Sequence, residues 1–168
     1  PSNSRLTKES PFKNIYIPPN CDDSGLSLGA AQYLYHNVLD NPRVELSNSQ
    51  YRKLPFLGMA YSAAEVKSAI NAVEDKVNVE YLPEAAKKAA EDLHVDKIVA
   101  WYEGRSEIGP RALGHRSLLM NPKYAANWER MNTLKNREKW RPFAPSVLAE
   151  DAALYFRGMP EESPFMLF

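Results

Sequence analysis

The sequence GRSEIGPRALGHR at residues 104–116 follows the apolar run KIVAWY at 97–102, with one acidic residue between them. Three glycines in this stretch permit backbone angles that other residues avoid, and one proline stiffens the chain between them. Its three arginines carry permanent, planar charges that bind phosphate or carboxylate oxygens through paired hydrogen bonds. The pattern predicts a strand that leads into an anion-binding loop, which we call the glycine-arginine loop.

A second basic stretch, KNREKWR at residues 135–141, follows about twenty positions later and is called the basic run below. Its four cations alternate, so an extended segment would point all of them the same way. Like charges on one face repel unless an anion neutralises them, which favours a phosphate-bearing ligand. Trp140 and Phe143 are either an aromatic wall for a nucleobase or part of a core. The prolines at 142 and 145 make the following segment rigid.

The charge distribution distinguishes a small ligand bound at one place from a nucleic acid bound across the whole surface. The net charge of the 168 residues is zero, yet residues 104–141 hold nine Lys and Arg against three Asp and Glu. This local surplus favours a small anionic ligand, and no nucleic-acid partner is expected. A plainer alternative is a surface of scattered salt bridges, each worth about 0–1 kcal/mol.

The composition places the chain among globular proteins, with 44% hydrophobic and 25% charged residues. No apolar run is long enough to span a membrane. The single cysteine, Cys21, has no partner for an internal disulfide, so a cytoplasmic location is expected. Because the chain starts at Pro1 and ends within the apolar run 164–168, which has the character of an interrupted strand, we expect a fragment of a longer polypeptide.

Hydrophobic patterning predicts a mixed α/β fold. Ser62 and Glu65 form a capping-box pattern at the start of one helix, and Pro83 suits the first turn of the next. The region 40–55 has no clear periodicity, and a domain boundary is expected near 50–57. Predicted strands cover 14–17, 77–82, 97–102, 117–120 and 144–148, and predicted helices cover 26–38, 62–74, 83–94, 124–134 and 150–156.

The loop CDDSG at residues 21–25 contains candidate metal ligands. Carboxylates of Asp22 and Asp23 are hard oxygen ligands that suit a divalent metal. An Asp-Ser-Gly sequence is also a common turn and helix cap, and the residues alone favour that interpretation.

Three segments carry a family resemblance. GRSEIGPRALGHRSLL, LKNREKWRPFAPSVL and the closing PFM resemble the C-terminal part of the carbamoyltransferases that include NodU and the antibiotic O-carbamoyltransferases. IPPNCDDSGLSLGAA is similar to the end of the preceding transferase domain in that family. The resemblance implies that residues 1–50 are the tail of a TsaD-like domain of actin-like ATPase type, that 51–57 are a linker, and that 58–168 are most of a YrdC-like α/β domain.

The resemblance also implies a function. Family members form carbamoyl-adenylate from carbamoyl phosphate and ATP, and transfer the carbamoyl group to a hydroxyl of a small-molecule acceptor. The matching positions imply that Lys135 and Arg141 contact the carbamoyl and phosphate groups and that Arg111 contacts the adenylate. Four further motif positions are expected to bind the nucleotide: Arg105, His115, Arg116 and Ser117. Asp23 matches a ligand of an iron-type or magnesium site, although the family's paired histidine ligands have no counterpart in this sequence.

Two alternatives from other classes stay open at this point. A YrdC-like unit can act as a non-catalytic module that binds nucleotides or RNA, and the steep salt dependence of RNA binding would distinguish it. A structural fragment with exposed sheet edges would instead associate with itself, so homo-oligomerisation is also left open.

Overall fold

The structure is a computed structural model that describes residues 2–158 and 163–168. Its internal contacts divide the chain into two compact units. The first unit comprises Pro1–Gly58, Ser106–Leu113 and Ser146–Phe168, and the second comprises Met59–Arg105 and Gly114–Pro145. The glycine-arginine loop is therefore shared between the units, with its middle in the first and both of its ends in the second.

The described residues form a mixed α/β structure, as the patterning predicted. The strands are β1 (Val99–Tyr102) and β2 (Arg116–Leu119). The α-helices are α1 (Ser2–Glu9), α2 (Gly25–Tyr33), α3 (Asn48–Lys53), α4 (Ala63–Asn71), α5 (Ala85–His94), α6 (Ala126–Leu134) and α7 (Ala152–Tyr155). A π-helical segment, Leu34–Val38, extends α2, and a 3-10 turn, Ala149–Asp151, precedes α7.

The first unit is organised around an aromatic cluster. The ring of Tyr51, on α3, lies 6.0 Å from the ring of Tyr16 and 5.2 Å from the ring of Phe165. Phe165 is only 4% exposed, and Pro55, four residues after Tyr51 in the sequence, is fully buried. Burial and the nearby Tyr16 hydroxyl both raise the pKa of Tyr51. This cluster joins three segments that are far apart in the sequence.

The second unit is built on an antiparallel pair of strands. Val99 pairs with Leu119 and Tyr102 pairs with Arg116. The segment that connects the strands therefore leaves and re-enters the pair at the same end. Helix α6 lies after β2 and supplies the buried side chains of this unit, Asn127, Met131 and Asn132. The side chain of Asn127 donates hydrogen bonds to the Asp96 carboxylate at 2.5 Å and to the Asn121 carbonyl at 3.0 Å.

Most of the predicted helices and two of the predicted strands are confirmed. β1 lies within the predicted 97–102, and β2 begins one residue before the predicted 117–120. The helix predicted at 26–38 is formed by α2 together with its π-helical extension. The capping box of Ser62 and Glu65 is present at the start of α4, which ends at Asn71 rather than at 74. The helix predicted from Pro83 begins two residues later, at Ala85.

Three predicted strands are wrong, because 14–17, 77–82 and 144–148 form no strand. Strand pairing in the described part of the chain joins only β1 and β2. Alternating side chains define two faces of a segment, but a strand also needs a partner for its backbone groups. The segment 144–148 moreover contains Pro145, which has no N–H to donate to a ladder. The closing run 163–168 likewise forms a turn, with the Met166 N–H donating to the Ser163 carbonyl at 3.4 Å.

Two helices were not predicted. Helix α3 lies within 40–55, and its capping box is made by Ser47 and Gln50. Helix α1 has a polar sequence in which Arg5 and Glu9 form an ion pair one turn apart, at 2.8 Å. Both helices are short and have no apolar stripe, so periodicity carries little information about them.

The capping box of α4 leads to a prediction on pH. The Glu65 carboxylate accepts hydrogen bonds from the Ser62 N–H and hydroxyl, both at 2.7 Å, and these bonds lower the pKa of Glu65. A carboxyl with a lowered pKa stabilises the fold above its unfolded-state pKa, and this contribution is lost as the pH falls through its folded-state value. We expect the Ser62 amide resonance to follow this titration, and Glu65→Gln to remove it. A Ser62 amide that titrates equally in the Gln variant would contradict the assignment.

Candidate functional site

The ends of the glycine-arginine loop are fastened by Arg116 in the second unit. Its Nη1 donates to the carbonyls of Glu103, at 2.6 Å, and of His115, at 2.9 Å, while Nη2 donates to the Gly104 carbonyl at 3.0 Å. The Arg116 guanidinium also lies 3.4 Å from the ring centroid of Tyr102. Three donors of this arginine are therefore engaged by backbone oxygens, which makes it a clamp on the base of the loop.

Other motif residues reinforce the base of the loop. The His115 imidazole donates a hydrogen bond from Nδ1 to the Arg105 carbonyl at 2.8 Å, because a carbonyl oxygen can only accept. The Ser117 hydroxyl accepts from the Gly114 N–H at 3.0 Å. Gly104 has a φ of +48° and lies against the His115 ring, where a Cβ would come within 3.3 Å of Cε1. Four of the sequence-predicted site residues, Arg105, His115, Arg116 and Ser117, are thus brought together in one hydrogen-bonded loop base.

The middle of the loop belongs to the first unit. The Glu107 carboxylate accepts from the Leu113 N–H at 2.8 Å and closes this segment on itself. The Ile108 N–H donates to the Pro55 carbonyl at 2.6 Å, and the Gly58 N–H donates to the Ser106 carbonyl at 3.0 Å. These bonds hold the segment on the backbone that surrounds Pro55.

Arg111 lies in this middle segment and differs from the arginine of the loop base. Its side chain is exposed, and its guanidinium donates no hydrogen bond to, and forms no ion pair with, another described residue. An exposed planar cation on a closed loop is available for an anionic ligand.

The basic run is not extended, so the prediction that its four cations point the same way is wrong. Lys135 caps the end of α6, and Asn136 takes a left-handed conformation with φ of 47°. The Asn136 N–H donates to the Thr133 carbonyl at 3.0 Å, and the Arg137 N–H donates to the Asn132 carbonyl at 3.1 Å. These two bonds form a Schellman motif, which ends the helix and reverses the chain.

Two cations of the basic run pair with acidic neighbours. The Lys139 ammonium forms an ion pair with Glu129 on α6, and this hydrogen bond lowers the pKa of Glu129. The Arg141 Nε donates to the Glu138 carboxylate at 2.6 Å. The pKa of Glu138 is lowered, first by its own backbone N–H and then by Arg141. Exposed pairs of this kind are weak, so a ligand phosphate can replace Glu138 as the partner of Arg141.

The remaining two cations of the run have contrasting surroundings. Arg137 is half-buried, with Nε donating to the Asn132 side-chain oxygen at 2.6 Å and Cζ lying 4.5 Å from the ring centroid of Phe143. Lys135 is exposed, and within residues 2–158 and 163–168 no side chain forms an ion pair or a hydrogen bond with its ammonium. Trp140 is 71% exposed, so of its two expected roles the core is wrong.

The acidic loop at 21–25 forms a turn. The Asp22 carboxylate accepts from the Ser24 N–H at 3.2 Å and from the Ser24 hydroxyl, while the Gly25 N–H donates to the Asp22 carbonyl at 2.9 Å. Asp23 is exposed, and no cluster of three or more His, Cys, Asp or Glu side chains exists among the described residues. The described residues therefore do not make up a metal site around Asp23.

One residue of the site was missed by sequence reasoning. Asn132, on the last turn of α6, is fully buried and is hydrogen-bonded to three residues of the basic run. The available signal was the sequence MNTLKN, in which an amide side chain stands three residues before the first cation. A single asparagine in a helix is too common for this signal to be specific.

Comparison with known proteins defines the class of protein. Residues 90–168 match the family described as carbamoyltransferase C-terminus. Nodulation protein NolNO of Sinorhizobium fredii is 38% identical over 171 residues, which are 99% of this chain and 24% of that protein. The 3'-hydroxymethylcephem-O-carbamoyltransferase of Streptomyces clavuligerus is 32% identical over 173 residues, covering 96% of this chain and 30% of that protein.

A third relative is nodulation protein U of Sinorhizobium fredii, which is 33% identical over 167 residues, or 99% of this chain and 27% of that protein. Residues 90–168 therefore belong to the carbamoyltransferase C-terminal family, and nearly the whole chain is similar to these relatives. It spans about a quarter of the length of the curated relatives that it matches. Within the described ranges, no helix is both long enough and apolar enough to cross a bilayer.

Proposed function

We propose that this chain is the part of an O-carbamoyltransferase that holds carbamoyl phosphate and ATP while carbamoyl-adenylate forms. The observation that carries the proposal is the state of Lys135, an exposed ammonium without a partner among the described residues. Lys135 stands at a rigid helix end, directly before a run whose other cations are engaged. A cation on an ordered backbone that has no partner among the described residues suits a phosphate group, whose transfer is stabilised mainly by positioned charge.

The proposed reaction has three steps. Water hydrolyses carbamoyl phosphate to carbamate and inorganic phosphate. A carbamate oxygen then attacks the α-phosphorus of ATP, which forms an O–P bond and releases pyrophosphate. The acceptor hydroxyl oxygen finally attacks the carbamoyl carbon, AMP leaves with the bonding electron pair, and the hydroxyl proton passes to solvent.

Individual residues receive roles from this proposal. Lys135 and Arg141 bind the carbamoyl and phosphate oxygens, and Arg141 exchanges Glu138 for the ligand as it does so. Arg111 offers its exposed guanidinium to the adenylate. The expected binding of the nucleotide by Arg105, His115, Arg116 and Ser117 stays a prediction. In the structure these residues form the loop base, where Arg116 acts through backbone carbonyls.

The domain assignment belongs to the same proposal. Residues 58–168 are assigned to a YrdC-like domain, residues 1–50 to the end of a TsaD-like domain, and 51–57 to the linker. The acceptor is a hydroxyl-bearing small molecule, in line with the name of the relative that carbamoylates a hydroxymethylcephem. A metal in the complete polypeptide, a cytoplasmic location and homo-oligomerisation stay predictions.

Pyrophosphate exchange tests the adenylate step directly. In the complete polypeptide that carries this sequence, we expect radiolabelled pyrophosphate to enter ATP only when carbamoyl phosphate is present. Exchange without carbamoyl phosphate, or none with it, would contradict the proposed step. Acetyl phosphate in place of carbamoyl phosphate is the matched control, because it has a similar charge but cannot form carbamate.

A further inference from the structure

We infer that Asn132 is the positioning residue of the phosphate site, and that it acts by fixing the backbone of the basic run rather than by touching the ligand. The inference rests on the proposed function and deepens it. Asn132 is 0% exposed, although it carries a polar amide on the last turn of α6. Its hydrogen bonds therefore decide what it does.

The hydrogen bonds of the Asn132 side chain go to the basic run. Its Nδ2 donates to the Lys139 carbonyl at 3.1 Å and to the Arg141 carbonyl at 3.0 Å. Its oxygen accepts from Arg137 Nε at 2.6 Å. One side chain thus uses both donors and its acceptor on a single loop, which holds the loop at three points.

The three contact points lie beside the residues that are proposed to bind the ligand. The bond to the Arg141 carbonyl fixes the backbone of that cation just before Pro142. The Schellman bonds at Asn136 and Arg137 fix the backbone just after Lys135. Asn132 and the helix end together set the separation of the Lys135 and Arg141 backbones, and such preorganisation determines how well two cations fit one phosphate ligand.

Asparagine has the chemistry that this position requires. Aspartate has no N–H to donate to two carbonyls, and alanine leaves both carbonyls and the Arg137 Nε–H without their buried partner. Arg137 helps to hold the basic run in place, because its guanidinium contacts both the Asn132 oxygen and the Phe143 ring.

The chain offers a matched control in Asn127. This residue lies on the same helix, is 3% exposed, and also donates two hydrogen bonds, but these go to Asp96 and Asn121, away from the basic run. Asn127→Ala therefore removes a buried amide of the same kind without releasing the loop.

The experiment compares Asn132→Ala and Asn127→Ala in the complete polypeptide. The readouts are the urea midpoint, the rate of tryptic cleavage after Arg137 and Lys139, and the KM for carbamoyl phosphate in pyrophosphate exchange. Both variants should lower the urea midpoint. Only Asn132→Ala should speed cleavage in the run and raise the KM by about tenfold, since a tenfold change corresponds to about 1.4 kcal/mol, the scale of one lost hydrogen bond.

A second variant covers the case in which Asn132→Ala does not fold. Arg137→Lys keeps the positive charge but removes the Nε–H that reaches Asn132, and it should raise the KM by about threefold. An unchanged KM in either folded variant, with exchange intact in the wild type, overturns the positioning inference alone. Wild-type protein without any carbamoyl-phosphate-dependent exchange overturns the proposed function and this inference with it.

Discussion

Lys135→Ala should reduce carbamoyl-phosphate-dependent pyrophosphate exchange by about a hundredfold or more. Loss of one preorganised donor to a developing charge costs about 10²–10³ in rate in well-studied enzymes. Lys135 has no ion-pair partner among the described residues, so its removal leaves no protein carboxylate without a counter-charge. We therefore expect an unchanged urea midpoint together with the large loss of exchange.

The matched control for this change is Lys123→Ala. Lys123 is also an exposed lysine of the second unit, it lies outside both basic stretches, and no ion pair to its ammonium is formed by the described residues. Lys123→Ala changes the net charge of the protein by the same amount as Lys135→Ala. It should leave exchange within about twofold of the wild type, as expected for a screened surface charge. Equal losses in the two variants would assign the effect to net charge and would remove Lys135 from the site.

The sequence predicts local features of this fold, such as helix caps, more reliably than the pairing of its strands. The Ser62–Glu65 capping box is a contact within four residues, and it forms as expected. The strands at 97–102 and 117–120 also form, because each has the other as an antiparallel partner. The segments 14–17 and 77–82 have similar strand propensity but no partner in the described structure. Propensity describes one segment, whereas a ladder is a property of two.

The same difference between local features and features that need a distant partner applies to the candidate site. Composition indicated two basic stretches, and in each of them one cation, Arg111 or Lys135, is exposed without a described partner. It could not show that Arg116 and Arg137 use their donors on the protein itself, since these bonds depend on where the chain returns. Alternation at 135–141 also misled, because the left-handed residue Asn136 reverses the chain inside the run. The sequence shows where the cations are, but it does not show which of them donate hydrogen bonds to oxygens of the protein itself.

The second large effect is expected for Gly109→Ala, in the middle of the glycine-arginine loop. Gly109 has a φ of +96°, and a Cβ at this position would lie 2.5 Å from the Pro19 carbonyl oxygen and 3.0 Å from the Asn20 Cα. The left-handed backbone costs an alanine about 1–2 kcal/mol. The overlap involves backbone atoms beside a buried residue, and overpacking of this kind costs about 1–3 kcal/mol more.

Gly114→Ala separates these two costs. Gly114 has a φ of +106°, but its Cβ would meet nothing within 4 Å, so only the backbone cost applies there. We therefore expect Gly109→Ala to lower the free energy of unfolding by about 1–3 kcal/mol more than Gly114→Ala in urea titrations. Equal losses would mean that the segment at Pro19 moves away without cost, and that the close approach does not hold the loop. A larger loss at Gly109 would instead establish that contact with residues 19 and 20 fixes the segment that carries Arg111, because the clash can be relieved only by shifting that segment.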